Sequence, residues 1–106
     1  EIVNHMIRWR ETVLERIQGT DIPSPGDNYF SFIRDRSEGE WLKTLKRFQE
    51  TQALWLDAII KMKRKDFNTQ HKFSSYSNYE CVHGILQHDA YHLGQIRLLK
   101  KMIQLR

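Results

Sequence analysis

Residues 77–104 read SNYECVHGILQHDAYHLGQIRLLKKMIQ, and this stretch decides the fold. Ser77 followed by Glu80 is a capping box: the hydroxyl can accept from the backbone N–H three residues on, while the carboxylate reaches back to the N–H of the serine. Behind it Ile85, His88, His92, Ile96, Leu99 and Ile103 recur at intervals of three, four or seven, the period of one helix face. At about 100° per residue, His88 and His92 lie about 40° apart, one turn above the other, and the apolar members of the series fall within about 60° of them. The spacing predicts a helix from Ser77 to about Gln104 whose apolar stripe contains two imidazoles.

Upstream, Ser37 followed by Glu40 repeats the same start signal. The apolar series Trp41, Leu45, Phe48, Leu56 and Ile59 then predicts a second helix running to about Arg64, with Gln52 as a core-facing amide. A first helix over about residues 1–18 places Ile2, Met6, Trp9, Val13 and Ile17 on one stripe, with Arg8, Glu11, Glu15 and Gln18 opposite and Gly19 as its stop. Between the first two helices, Pro23, Pro25, Gly26, Asp27 and Asn28 mark Thr20–Arg36 as a loop. Its Tyr29, Phe30, Phe32 and Ile33 are expected to pack as a short turn or against a pocket. A polar loop, 65–76, separates the second helix from the third.

With no alternating strand pattern and no internal repeat, the fold class is all-α: an antiparallel helical bundle whose helices each need partners on more than one side. The chain opens on Glu1, without an initiating Met and already inside a helical pattern. A preceding segment is therefore expected to be missing, and the open side of the bundle would be filled by a preceding helix, by a second copy, or by nothing.

The length of 106 residues allows one small domain, 1–106. Apolar residues at 40% and charged residues at 28% match a globular chain and exclude the disordered class. No apolar run approaches the roughly 18–20 residues of a membrane helix, and the first residues do not show the charged-apolar-small pattern expected of a signal peptide. The single cysteine, Cys81, cannot form an internal disulfide, so the expected compartment is the reducing cytoplasm. Seventeen Lys and Arg against thirteen Asp and Glu give a formal charge of +4. The basic clusters Lys61, Lys63, Arg64, Lys65 and Arg97, Lys100, Lys101, Arg106 fall at predicted helix ends, where they complement the helix dipole. No aromatic-basic interleaving accompanies them, so nucleic acid is not the expected partner.

The chemistry lies in the third helix. A buried polar group left unpaired costs about 1–3 kcal/mol, so two imidazoles on an apolar stripe must be hydrogen-bonded, coupled to each other, or bound to something. His5, between Ile2 and Trp9 on the first helix, can point into the same interior. Neutral imidazole is a preferred ligand of zinc, nickel and related ions, and three such ligands leave a position open for water or substrate. Ordinary core packing of the histidines is the alternative. Asp89, next to the first of the pair, could orient a ligand imidazole or form a salt bridge between helices. Gln95 could hydrogen-bond across the bundle or face solvent. Cys81 lies about 10 Å along the axis from His88 and reads as a small buried hydrophobe. His83, on the other side of the helix, and His71, in the loop, are left out of the site, while Tyr79 and Tyr91 either flank the mouth of the bundle or pack.

The string His88-Asp89-Ala90-Tyr91-His92-Leu93-Gly94-Gln95-Ile96 resembles the H-D-x-Y-H-x-G-Q-I signature in the last helix of the DinB-like helical bundle superfamily. Asn4-His5-Met6-Ile7-Arg8-Trp9 is similar to the N-H-x-x-x-W-like context of an earlier helix there. The resemblance implies a four-helix bundle, often a homodimer, whose first helix would precede Glu1, with His5, His88 and His92 as a divalent-metal triad. Members with assigned activities include transferases and isomerases that use low-molecular-weight thiols such as bacillithiol or mycothiol. On that basis the expected function is metal-dependent chemistry on a small-molecule substrate, such as thiol-dependent S-transfer, with zinc or nickel as the metal. The alternative is a non-catalytic interaction or dimerisation module with a structural or vestigial metal site.

Overall fold

A computed structural model of the chain describes residues 1–70 and 75–106. These residues form three long helices and one short one: α1 (Ile2–Ile17), α2 (Glu38–Lys61), α3 (Arg64–Phe67) and α4 (Asn78–Gln104). The all-α bundle predicted from periodicity is the observed class. Among the described residues the only extended pairing is an isolated bridge between Gln70 and Ser77. No described helix is long and apolar enough to cross a membrane.

Local chemistry marks the starts of α2 and α4 and the end of α1. Ser37 Oγ accepts from the Glu40 N–H at the start of α2 (3.3 Å). At α4 both halves of the capping box form, Ser77 Oγ accepting from the Glu80 N–H (3.1 Å) and Glu80 Oε1 from the Ser77 N–H (3.2 Å). α1 ends in a Schellman motif: the Gly19 N–H donates to the Arg16 carbonyl and the Thr20 N–H to the Glu15 carbonyl, both at 3.0 Å. Gly19 sits at φ +98°, a conformation that disfavours any side chain.

α1 is the central element and packs on both α2 and α4. Matching positions rise together along α1 and α2: Arg10 stacks on Phe48, Glu11 pairs with Arg47, and Leu14 and Ile17 share a cleft with Leu54 and Ala58. These two helices therefore run in the same direction, which corrects the antiparallel packing expected from the sequence for this pair. α4 runs antiparallel to them, with His5 opposite His92, Arg10 opposite Asp89, and Val13 beside Ile85. The parallel arrangement is possible because the connection after α1 is long. At about 1.5 Å per residue α1 spans about 24 Å, a distance that the chain from Gly19 to Ser37 covers easily when extended. This segment returns along α1, held by Arg16, which donates through Nε to the Ile22 carbonyl (2.8 Å), and by the hydrogen bond between the Thr12 and Tyr29 hydroxyls (2.7 Å).

Enclosed on three sides, α1 buries more than the predicted stripe. His5, Met6, Ile7, Arg10, Thr12 and Val13 are all buried, and along α1 only Arg8 and Glu15 are exposed. The core cluster is Val13, Trp55 and Ile85, with Trp9, Ile17, Ile59 and Cys81 among the side chains packed against it. Burial of each large apolar side chain contributes about 1.5–3 kcal/mol. On α2 the buried positions are Thr51 and Trp55, whereas Leu56, assigned to the core by periodicity, is exposed. Gln52 is half-buried and does not line the cavity beside the histidines.

The stripe predicted on α4 is covered only as far as Ile96; Leu99 and Ile103 are exposed. Length explains this. The 27 residues of α4 span about 40 Å, so the helix overhangs the 16-residue α1. Phe32, expected to pack, is 72% exposed and lies under the guanidinium of Arg36. α3 starts at the expected end of the second helix and runs into the predicted polar loop, and Asn78 ties it to α4 by donating from Nδ2 to the Asp66 carbonyl (3.0 Å). His71 lies outside the described residues.

Candidate metal centre

His5 projects from α1 toward His88 and His92 of the antiparallel α4. The three Nε2 atoms form a near-equilateral triangle: His5–His88 2.9 Å, His5–His92 3.0 Å and His88–His92 3.1 Å. His5 and His92 are buried and His88 is half-buried.

The opposite ring nitrogens fix what those Nε2 atoms can do. His5 Nδ1 lies 2.6 Å from the Asn28 backbone carbonyl, which can only accept, so Nδ1 carries the proton. His92 Nδ1 donates in the same way to Gln95 Oε1 at 2.6 Å. In the neutral rings both Nε2 atoms are then bare lone-pair donors facing each other at 3.0 Å, where no hydrogen bond can form between them. A positive charge between them turns this repulsion into attraction. Donors sharing one ion at about 2.0–2.1 Å stand about 2.9 Å apart at right angles and about 3.4 Å apart in a tetrahedron, so the donor set and its spacing fit a divalent cation. His5, His88 and His92 could together hold a metal ion.

The third imidazole is held differently. His88 Nδ1 makes no hydrogen bond and lies 3.7 Å from Asp89 Oδ1, which also lacks one. The other carboxylate oxygen, Oδ2, accepts from Arg10 Nη2 at 2.7 Å, so Asp89 forms an ion pair between α4 and α1, as its place beside His88 allows.

Burial is the main cause holding the pKa of His5 below the ordinary histidine value. The hydrogen bond to Asn28 opposes this shift, and the charge of His92 adds to it. For His88, burial again leads, reinforced by His92 and His5 and opposed by Asp89. Both rings therefore favour the neutral form that ligates metal.

A cavity of about 780 Å³ opens onto the triad, walled by Trp9, Val13, Phe30, Tyr79 and Tyr91. Tyr79 and Tyr91 are thus part of its lining and largely exposed. Cys81 also lines it, but burial pushes the thiol pKa up, which keeps it protonated. His83, set aside because of its helix face, also lines the cavity, stacked on Tyr79 with ring centroids 5.9 Å apart.

Sequence reasoning missed the contribution of the crossing segment. Asp27 to Phe30 is a tight turn closed by the Phe30 N–H donating to the Asp27 carbonyl (3.0 Å), with Asn28 at φ 54° and Tyr29 at φ 59°. The turn aims the Asn28 carbonyl at His5 and lays the Phe30 ring on the His5 imidazole, 3.9 Å away and 9° from parallel. Asn28 Oδ1 also accepts from Trp9 Nε1 at 2.8 Å, which ties the turn to α1. Turn formers were visible in this segment, but a backbone carbonyl acting as acceptor leaves no side-chain signature. Gln95 had a usable signal: it stands three residues after His92, within reach on one helix face.

The sequence pattern of the DinB superfamily matches residues 1–96, and the chain belongs to that superfamily. No curated protein and no solved structure matches the chain.

Proposed function

We propose, with membership of the DinB superfamily as the premise, that this protein is a metal-dependent enzyme that activates a low-molecular-weight thiol for transfer to an electrophilic small molecule. The observation that carries this reading is the convergence of three Nε2 lone pairs within 3.1 Å of one another beside an open cavity. His5, His88 and His92 would hold the ion, zinc or nickel by the preference of imidazole donors. A bound divalent cation lowers the pKa of a thiol or water and so supplies a nucleophile near neutral pH. The chain's own side chains do the rest. Asn28 and Gln95 keep the Nδ1 protons in place, and Trp9, Phe30, Tyr79 and Tyr91 offer an apolar wall to the substrate. Cys81, held protonated, leaves the role of nucleophile to a diffusible thiol. A reducing compartment such as the cytoplasm suits this chemistry.

Elemental analysis of the purified protein, compared with the triple variant His5→Ala/His88→Ala/His92→Ala, tests the reading. About one metal per chain, lost in the variant, supports it and leads on to screening thiols with electrophiles. No metal in either protein after reconstitution refutes it.

A second reading, an interaction or homodimerisation module, is favoured by the exposed apolar side chains Leu54, Leu56 and Ile60 on α2 and Leu93, Leu98, Leu99, Met102 and Ile103 on α4. Sedimentation with and without chelator separates the two: self-association indifferent to metal, in a protein without thiol chemistry, supports the module.

A further inference from the structure

We propose that Asp89, anchored by the buried guanidinium of Arg10, is the positioning residue of His88. The inference rests on the triad being a metal centre. Arg10 is 2% exposed, an extreme position for a residue that is almost never buried without a purpose. Its guanidinium lies 4.7 Å from the centre of the Phe48 ring and donates through Nη2 to Asp89 Oδ2, while its Nε and Nη1 are buried without partners.

An ion pair serving only to join α1 to α4 would gain most from the two-pronged arrangement, with both carboxylate oxygens on the guanidinium fork. Here only one oxygen is given to Arg10. The other, Oδ1, lies 3.7 Å from His88 Nδ1, and neither atom has a hydrogen-bond partner. Joining helices is also a poor reason to bury charge, because apolar replacements of buried ion pairs are often as stable or more so.

The three imidazoles thus present Nδ1 to three different groups: hydrogen-bonded to a backbone carbonyl at His5 and to a side-chain amide at His92, and 3.7 Å from a carboxylate at His88, short of a hydrogen bond. Only the last carries charge. A carboxylate behind a ligating imidazole favours the Nδ1–H tautomer and strengthens Nε2 as a donor, and loss of such a partner typically weakens metal binding by about 10- to 100-fold. Arg10 sits on the same helix as His5, so α1 supplies one ligand directly and steadies a second through Asp89.

Cobalt(II) titration of the full chain, read by its visible absorption and by competition with a chelator, tests this. Asp89→Asn keeps the size of the side chain and removes its charge. With wild-type helicity retained, it should bind cobalt about 10- to 100-fold more weakly and shift the absorption bands of the saturated site, and Asp89→Glu should recover much of the affinity. The double variant Arg10→Met/Asp89→Leu removes the pair without leaving an orphan charge, and it decides the matter if Asp89→Asn does not fold. A folded double variant with weakened binding supports the positioning role. Affinity within about twofold of wild type, with an unchanged spectrum, in either folded variant overturns it. A wild-type protein that takes up no cobalt, zinc or nickel removes the metal centre itself and this inference with it.

Discussion

Replacing Gln95 with leucine tests the tautomer argument on which the metal centre depends. Gln95 Oε1 accepts from His92 Nδ1 at 2.6 Å, and His92 is only 6% exposed, so water cannot readily substitute for the lost acceptor. A buried donor deprived of its partner costs about 1–3 kcal/mol. Without metal, the ring escapes that cost by moving its proton to Nε2. When Nε2 is a ligand the proton must stay on Nδ1, so the cost falls on the metal-bound form. At about 1.4 kcal/mol per factor of ten, the variant should bind zinc about 5- to 150-fold more weakly. Gln95→Glu places a carboxylate on the same atom and should bind at least as tightly as wild type, because a charged acceptor raises the basicity of the ring. Competition with a chromophoric chelator gives the affinities, and circular dichroism verifies the helices. Zinc affinity of the leucine variant within about twofold of wild type would refute the reasoning, since His92 Nδ1 would then not be fixing the state of Nε2.

The remaining expectations concern pH and stability. His5 and His88 titrate below the ordinary histidine value in the folded chain, chiefly through burial, so the unfolded chain binds more protons than the folded one between the two values. Stability of the metal-free protein should therefore be greatest above about pH 6.5 and fall as pH drops through and below it; thermal unfolding in chelator that is flat or improves toward pH 5 would contradict this. Zinc affinity should fall over the same range, because protons compete for the same nitrogens. Trp55→Ala empties the centre of the core and should cost about 3–5 kcal/mol, read by urea denaturation. Gly19→Ala should cost about 1–2 kcal/mol by the same measurement, through backbone strain at φ +98° alone, because nothing crowds an added Cβ there.

Most of the helical frame was legible along the chain. The two Ser-x-x-Glu boxes, Gly19 and the 3.6-residue period depend on neighbours within one or two turns, and the three long helices begin and end within three residues of the expected positions, whereas the short α3 was not expected. The pairing of His88 and His92 was legible for the same reason, being an i, i+4 relation on one helix. Burial was less so. Periodicity ranks the faces of a helix but does not say how far a partner extends, which is why Leu99 and Ile103 are exposed beyond the end of α1 and why Trp55, not Leu56, fills the core.

The sequence by itself determined the all-α class, the approximate bounds of the three long helices and the three imidazoles as a candidate ligand set, because each rests on short-range spacing or on a recognisable string. Tertiary structure decided that α1 and α2 run parallel, that Asn28 and Phe30 reach His5, and that Arg10 meets Asp89 across 79 positions. Those contacts join residues far apart in the chain through the path of one long loop and the docking of two helices. No local pattern encodes them, since their free energy is realised only when the whole bundle closes.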